Sequence, residues 1–245
     1  MNDDVNAALE RLSDRSMPGL ERHRVGDWLL RSALRATGRA NCVWVRDDPG
    51  CEVSSAIDSV EAWYRQRDAT VIFQLFDGTD VDVSTELDAR EYRTATGAVV
   101  MTAGIGDVRL DASSDGSATT SSSPDQAFAS LVGDEDRLAE TVMTPLDQQF
   151  LTLVDLDGTL LGGGLAVLDG QWLGIFAMNT LPEARRRGVA RRVLRDLTDW
   201  GRGSGATSVW LQVMPTNVPA RSLYREVGFV DSHQYHYRSG PNWRD

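Results

Sequence analysis

The chain has 245 residues, a formal net charge of −11 and 41% hydrophobic residues, enough for one large or two modest domains with real cores. No stretch approaches the roughly 18–20 continuous apolar residues of a membrane span. The acidic balance argues against nonspecific nucleic-acid binding, which needs phosphate neutralisation, and suits a cationic or amine substrate by long-range attraction. Every basic side chain other than histidine is arginine, a pattern of coding bias rather than of function. Met1-Asn2-Asp3-Asp4 lacks the basic region and apolar core of a secretory signal. Cys42 and Cys51 could pair only with each other, and an intracellular chain would keep them reduced. A cytoplasmic protein is therefore expected, with no membrane or nucleic-acid partner, as a monomer or homodimer.

In chain order, residues 5–12 predict a short helix, and Trp28–Ala33 and Ala40–Val45 predict strands. Asp47-Asp48-Pro49-Gly50 breaks the chain. A helix follows from Ser55 to about Arg67, with Ile57, Val60, Trp63 and Tyr64 on one face. Next come a strand at Val71–Phe76, a helix near Ser84–Arg90 and a strand near Ala98–Thr102. Residues 111–125 are rich in Ser, Thr and Gly without apolar periodicity, the composition of a flexible connection. The expected division is thus a first domain over 1–112, a linker over 113–124 and a second domain over 125–245.

The second half begins with helical material from Gln126 to about Met143. Three meander strands follow, at Phe150–Val154, Leu160–Leu168 and Trp172–Met178, the first two joined by a turn at Asp155–Gly158. Val189, Val193, Leu194, Leu197 and Trp200 then recur at helical steps. Ser208–Val213 predicts a strand parallel to Trp172–Met178, reached by a crossover. Asn217–Val227 predicts a helix, and residues from Gly228 to Arg238 a final hairpin. The fold class is α/β with a mixed sheet. Val71–Phe76 also lines up with Val209–Met214, which places Tyr92 opposite Phe229 and Leu87 opposite Tyr224, and suggests two copies of one fold.

The chemistry gathers at Leu181-Pro182-Glu183-Ala184-Arg185-Arg186-Arg187-Gly188-Val189-Ala190, a turn between strand and helix. A helix N-terminus carries unpaired N–H donors and partial positive charge, and so attracts anions. Three arginines there oppose the helix dipole, which favours acidic residues in a first turn. That placement makes sense if a polyanion docks. Gly188 and Ala190 leave its phosphates room to approach the backbone. The turn is not a Walker loop, because no Gly-Lys-Ser/Thr follows, and Gly-x-Gly-x-x-Gly is absent.

The spacing Arg185-x-x-Gly188-x-Ala190 resembles the acyl-CoA-binding turn of the GNAT superfamily of N-acyltransferases. Asn217-x-x-Ala220-x-x-x-Tyr224-x-x-x-Gly228-Phe229 resembles that family's second signature. The resemblance covers most of residues 126–245. The first half resembles the degenerate first domain of tandem members, having nothing like Arg185–Ala190.

The resemblance implies acetyl-CoA as donor, an amine of a small molecule or peptide as acceptor, direct acyl transfer and no metal. It maps contacts with the pantetheine arm and acetyl group onto Met178, Asn179 and Thr180. Pyrophosphate contacts fall on Arg185, Arg186, Arg187, Gly188, Val189, Ala190 and Arg191. Asn217 would hydrogen-bond the cofactor arm or cap its helix. Tyr224 is the expected general acid toward sulfur. The family's frequent strand glutamate is missing from Trp172–Met178, which leaves Asn179 through a water, His233 or His236 as candidates for base, or no dedicated base for an amine of low enough pKa. The alternative is a noncatalytic acyl-CoA-binding sensor.

Overall fold

The structure, a computed structural model, describes residues 3–33, 38–76, 80–110, 116–133 and 144–240. Two compact units emerge. One contains residues 1–17 and 100–233, the other residues 18–99 and 234–245. The seam of these units is not the expected 113–124 connection. It falls within β5 (Arg93–Gly104) and β11 (Val230–Ser239), each of which contributes residues to both units.

In the unit of residues 18–99 and 234–245, β1 (Glu21–Val25) and β2 (Trp28–Ser32) form a hairpin closed by Val25↔Trp28. Its turn residue Gly26 has φ of 54°, and a Cβ there would fall 2.2 Å from the Pro49 carbonyl carbon. Only glycine fits. β2 pairs antiparallel with β3 (Val43–Trp44), which pairs parallel with β4 (Ile72–Phe76). The crossover is α2 (Val53–Arg65), which buries Ala56, Ile57, Val60, Trp63 and Tyr64 as its periodicity predicts. α3 (Val81–Ala89) then leads to β5, and β4 pairs antiparallel with β11 from Tyr235↔Phe76 to Ser239↔Ile72. Buried Arg31 is held by Cys42 Sγ and Gln74 Oε1, both at 3.0 Å, as a buried charge requires. Cys42 is buried, Cys51 is exposed, and neither is in a disulfide.

The other unit starts with α1 (Asp3–Ser16), the helix expected in the first domain. It packs on β8 and β9. Here β6 (Ser117–Ser121), β7 (Asp147–Val154), β8 (Leu160–Asp169) and β9 (Trp172–Thr180) pair antiparallel in that order. The expected flexible connection therefore holds a strand, with Ser117↔Val154 and Ser121↔Phe150 fixing its register. α4 (Gln126–Val132) ends in a left-handed Gly133; the rest of the helix expected to Met143 lies outside the described residues. β9 is joined through α5 (Val189–Gly203) to the parallel β10 (Ser208–Val213), and α6 (Val218–Glu226) leads into β11. The expected final hairpin is instead one continuous strand. Among the described residues no helix is long and apolar enough to cross a membrane.

The internal repeat is visible in the order of elements. Meander β1-β2-β3, helix α2, parallel β4, helix α3 and strand β5 match meander β7-β8-β9, α5, parallel β10, α6 and β11. The match extends to single bonds. Tyr92 N–H donates to the Leu87 carbonyl at 3.0 Å, and Phe229 N–H donates to the Tyr224 carbonyl at 2.9 Å. Glu91 and Gly228, just before these aromatics, both have positive φ. Leu87 thus stands where the second copy has Tyr224.

Buried tyrosines set an alkaline limit to stability. Burial pushes the Tyr64 and Tyr92 hydroxyls well above the usual phenol range and Tyr224 up to about 12. Unfolded tyrosines ionise near pH 10, so between pH 10 and 12 the unfolded chain loses protons that the folded chain keeps. Stability fully present below pH 10 is therefore lost as pH rises toward 12. Urea midpoints should hold steady between pH 7 and 9 and then fall. A midpoint flat to pH 12 would contradict the burial of these hydroxyls.

Candidate active site

Two strands that part company form the candidate site. β9 and β10 pair in parallel from Ser208↔Trp172 to Leu211↔Ile175. β9 then continues to Thr180 while β10 ends at Val213, and no further β9–β10 pair forms among the described residues. The departure has a local cause. Ala177 sits at φ of 49°, a conformation unfavourable for a residue with a Cβ, and the β8–β9 register shifts between Gly163 and Leu165. Beyond that bulge β9 keeps Gly163↔Asn179 and Gly162↔Thr180 on its β8 side. Its other edge offers backbone N–H and C=O groups at Met178–Thr180, which an extended ligand can use as another strand would.

Below that opening lies the arginine turn. Pro182–Ala184 form a 3-10 turn, Arg186 adopts φ of 65° and Gly188 φ of 78°, and α5 begins at Val189. No side chain caps α5, so the N–H groups of its first turn remain available. Arg185 and Arg186 are exposed and form no ion pair among the described residues, whereas Arg187 binds Asp155 at 2.7 Å and Arg191 binds Glu226 at 2.5 Å. Hydrogen bonding from Arg187 holds the Asp155 carboxyl below its usual range. α5 comes close to β8 because Gly164 has no side chain: a Cβ there would meet Val193 Cγ1 and Leu197 Cδ1 of α5, each at 3.1 Å.

Tyr224, on α6, is 7% exposed and packs against Phe229 with ring centroids 5.8 Å apart. Its hydroxyl makes no hydrogen bond among the described residues, and burial alone pushes its pKa up to about 12. Among the described residues this protonated donor has no recipient. Asn217 caps α6, its Oδ1 accepting from the Ala220 N–H at 3.2 Å. The capping use of that residue is therefore present. Asn179 Nδ2 donates to the Leu131 carbonyl at 2.8 Å, so one of its donors serves α4.

The histidines divide. His236 pairs in register with Leu75 of β4, in the other unit. The side chain of His233 is 7% exposed in this unit, and its Nε2 lies 2.8 Å from Glu10 Oε1. One turn along α1, Ser13 Oγ accepts from Gln212 Nε2 at 3.2 Å. Gln212 is the residue just past the last β9–β10 pair, so α1 links the opening of the strands to the His233–Glu10 pair. The sequence offered no sign of Glu10's place here, because it lies 223 positions from His233.

The comparisons with known proteins match the chain over nearly its whole length. The family model described as "Probable histone acetyltransferase Rv0428c C-terminal" matches residues 6–238. The chain belongs to this family. It is an N-acetyltransferase of the GNAT superfamily. A relative named "Uncharacterized N-acetyltransferase YobR", from Bacillus subtilis (strain 168), is 28% identical over 96% of this chain and 98% of its own length. Among solved structures, a GCN5-related N-acetyltransferase from Kribbella flavida superposes with a TM-score of 0.74 at 17% identity, over 99% of this chain and 97% of that one. A tandem GNAT protein from the clavulanic acid biosynthesis pathway gives 0.68 at 11% identity, over 97% and 88%. These structures establish the fold, the mixed-sheet acyl-CoA N-acyltransferase fold. Within this Rv0428c-like family member, the resemblance carried by Arg185–Ala190 and Asn217–Phe229 is thus extended to nearly the whole chain.

Proposed function

We propose that the protein transfers an acetyl group from acetyl-CoA to a primary amine of a small molecule or peptide by direct attack. The observation that carries this reading is the opening of β9 from β10 directly before the uncapped N-terminus of α5. The open edge at Met178, Asn179 and Thr180 suits the amide-bearing pantetheine arm. The first-turn amides of Val189, Ala190 and Arg191, with Arg185, Arg186, Arg187 and Gly188, suit its pyrophosphate. The neutral amine attacks the thioester carbonyl carbon, the C–N bond forms, and the C–S bond breaks. Tyr224 gives its phenolic proton to the departing sulfur and regains one from solvent. His233, whose Nε2 lies against Glu10 and whose Nδ1 lies 3.4 Å from Ser232 Oγ, takes the proton released by the amine. The buried, protonated Tyr224 hydroxyl, which has no hydrogen-bond partner among the described residues, favours an enzyme over the noncatalytic sensor.

The test is thiol release from acetyl-CoA across a panel of amines, with no release from any of them supporting the sensor. His233→Gln should lower kcat by about 10²-fold, within the range of general acid–base catalysis, with CoA affinity unchanged. Unaltered kcat would remove His233 from the reaction.

A further inference from the structure

α1 buries a face that apolar periodicity would not have chosen. Leu9 and Leu12 enter the core, but Glu10, Ser13, Asp14 and Ser16 are buried beside them. Buried polar groups cost stability unless they are hydrogen-bonded, so such a face needs partners, and it finds them at helical steps. Asn6 Oδ1 accepts from Ser232 Oγ at 3.1 Å, Glu10 Oε1 lies 2.8 Å from His233 Nε2, and Ser13 Oγ accepts from Gln212 Nε2 at 3.2 Å. Steps of four and three residues put positions 6, 10 and 13 along one side of a helix. Leucines there would dock α1 without desolvating a carboxylate. Docking alone does not account for the stripe.

What the stripe touches points to its use. Gln212 is the residue just past the last β9–β10 pair, and Glu10 and Ser13 are neighbours on α1, about 5–6 Å apart at Cβ. α1 therefore grips His233 one helical turn from where it holds the end of that pair. The grip is also directional. An ionised carboxylate only accepts hydrogen bonds, so Glu10 draws the imidazole proton to Nε2 and leaves the lone pair on Nδ1. Ser232 Oγ lies 3.4 Å from Nδ1, yet its single proton goes to Asn6 Oδ1. That hydroxyl does not claim the Nδ1 lone pair. α1 thus acts on Nε2 directly through Glu10 and on Nδ1 indirectly through Asn6.

We propose that α1 positions the base for acetyl transfer, an inference that rests on His233 accepting the amine's proton. Glu10 selects the tautomer with Nδ1 as acceptor, and Asn6 keeps the Ser232 proton away from that nitrogen. As the C–N bond forms, an amine N–H bond breaks, its electron pair stays on the amine nitrogen, and the proton goes to Nδ1. Glu10, still ionised, then faces an imidazolium and stabilises it. Glu10 and Asn6 are positioning residues, acting through His233 and Ser232. The helix that precedes the first copy thus serves the chemistry of the second.

Kinetics of the full chain test this, with acetyl-CoA and the fastest acceptor among L-lysine, spermidine and benzylamine. Glu10→Gln keeps the bulk of the side chain but can donate as well as accept, so the choice of tautomer is lost. Its kcat should fall at least about tenfold, part of the 10²–10⁴ of general acid–base catalysis, with KM for acetyl-CoA unchanged. Placed on His233→Gln, the same change should cost nothing further, because a residue acting through another has no effect once that one is gone. Asn6→Ala should lower kcat a few-fold by releasing the Ser232 proton toward Nδ1, and adding Ser232→Ala should restore it. In ¹⁵N-histidine spectra, the ring signals that His233→Gln removes should show the Nε2–H tautomer in the wild type and a mixture in Glu10→Gln. A slow His233→Gln beside a Glu10→Gln as fast as wild type would overturn the proposal and leave His233 as the base. Equal losses from Glu10→Gln in both backgrounds, or an unchanged tautomer, would do the same. Unaltered kcat in His233→Gln would overturn the reading of the base, and this proposal with it.

Discussion

Gly188→Glu should abolish the thermal stabilisation that CoA or acetyl-CoA gives the native protein. A ligand bound only by the folded chain, at a hundred times its Kd, contributes about 2.7 kcal/mol. For a chain of this size that raises Tm by roughly 5–10 °C. The substitution puts bulk and negative charge at the left-handed residue that opens α5, where the phosphates are proposed to sit. It also strains the backbone, since φ there is 78°, so the variant's own Tm should drop even without ligand. Arg185→Ala with Arg186→Ala leaves that backbone alone and should reduce the shift without erasing it. A normal CoA response from Gly188→Glu would show that the pyrophosphate lies elsewhere.

The second large effect is expected at Tyr224. Tyr224→Phe keeps the ring and its packing on Phe229 and deletes only the proton donor. General acid catalysis contributes on the order of 10²–10⁴ in rate, so kcat should fall by at least about tenfold while CoA affinity holds. Loss of an interaction made only in the transition state appears in kcat rather than in binding. Because burial raises this phenol to about 12, the wild-type rate should show no loss attributable to Tyr224 ionisation up to pH 10. Weaker CoA binding with unchanged turnover would make Tyr224 a packing or binding residue.

Much of this arrangement could be read from the residues, because its elements have strong local signals. α2 and α5 follow apolar periodicity, and the meander strands are nearly continuous apolar runs. The arginine turn and the Asn217–Phe229 spacing fall where the structure puts a helix N-terminus and a capped helix. The misses share a different physics. β1 is Glu-Arg-His-Arg-Val and mostly exposed; it is a strand because the Gly26 turn delivers it to β2, not because its side chains alternate. β6 is Ser-Ala-Thr-Thr-Ser, a composition that looks like a connection until β7 supplies its hydrogen bonds. The final strand was expected to turn, yet its polar residues run straight because two units take successive parts of it. Glu10 was illegible for the same reason: its partner is tertiary, and nothing in residues 5–12 announces it.

The division of β5 and β11 has an evolutionary consequence. A gene duplication that leaves two self-sufficient copies can be undone by deletion or shuffled into new proteins. This one cannot, because one compact unit takes residues 100–104 and 1–17 from the leading copy, while the other takes residues 234–239 from the trailing copy. A fragment cut at the Ser/Thr-rich segment would carry away a strand that its neighbour owns. Once the copies had traded segments, a half that lost its original chemistry could no longer be discarded.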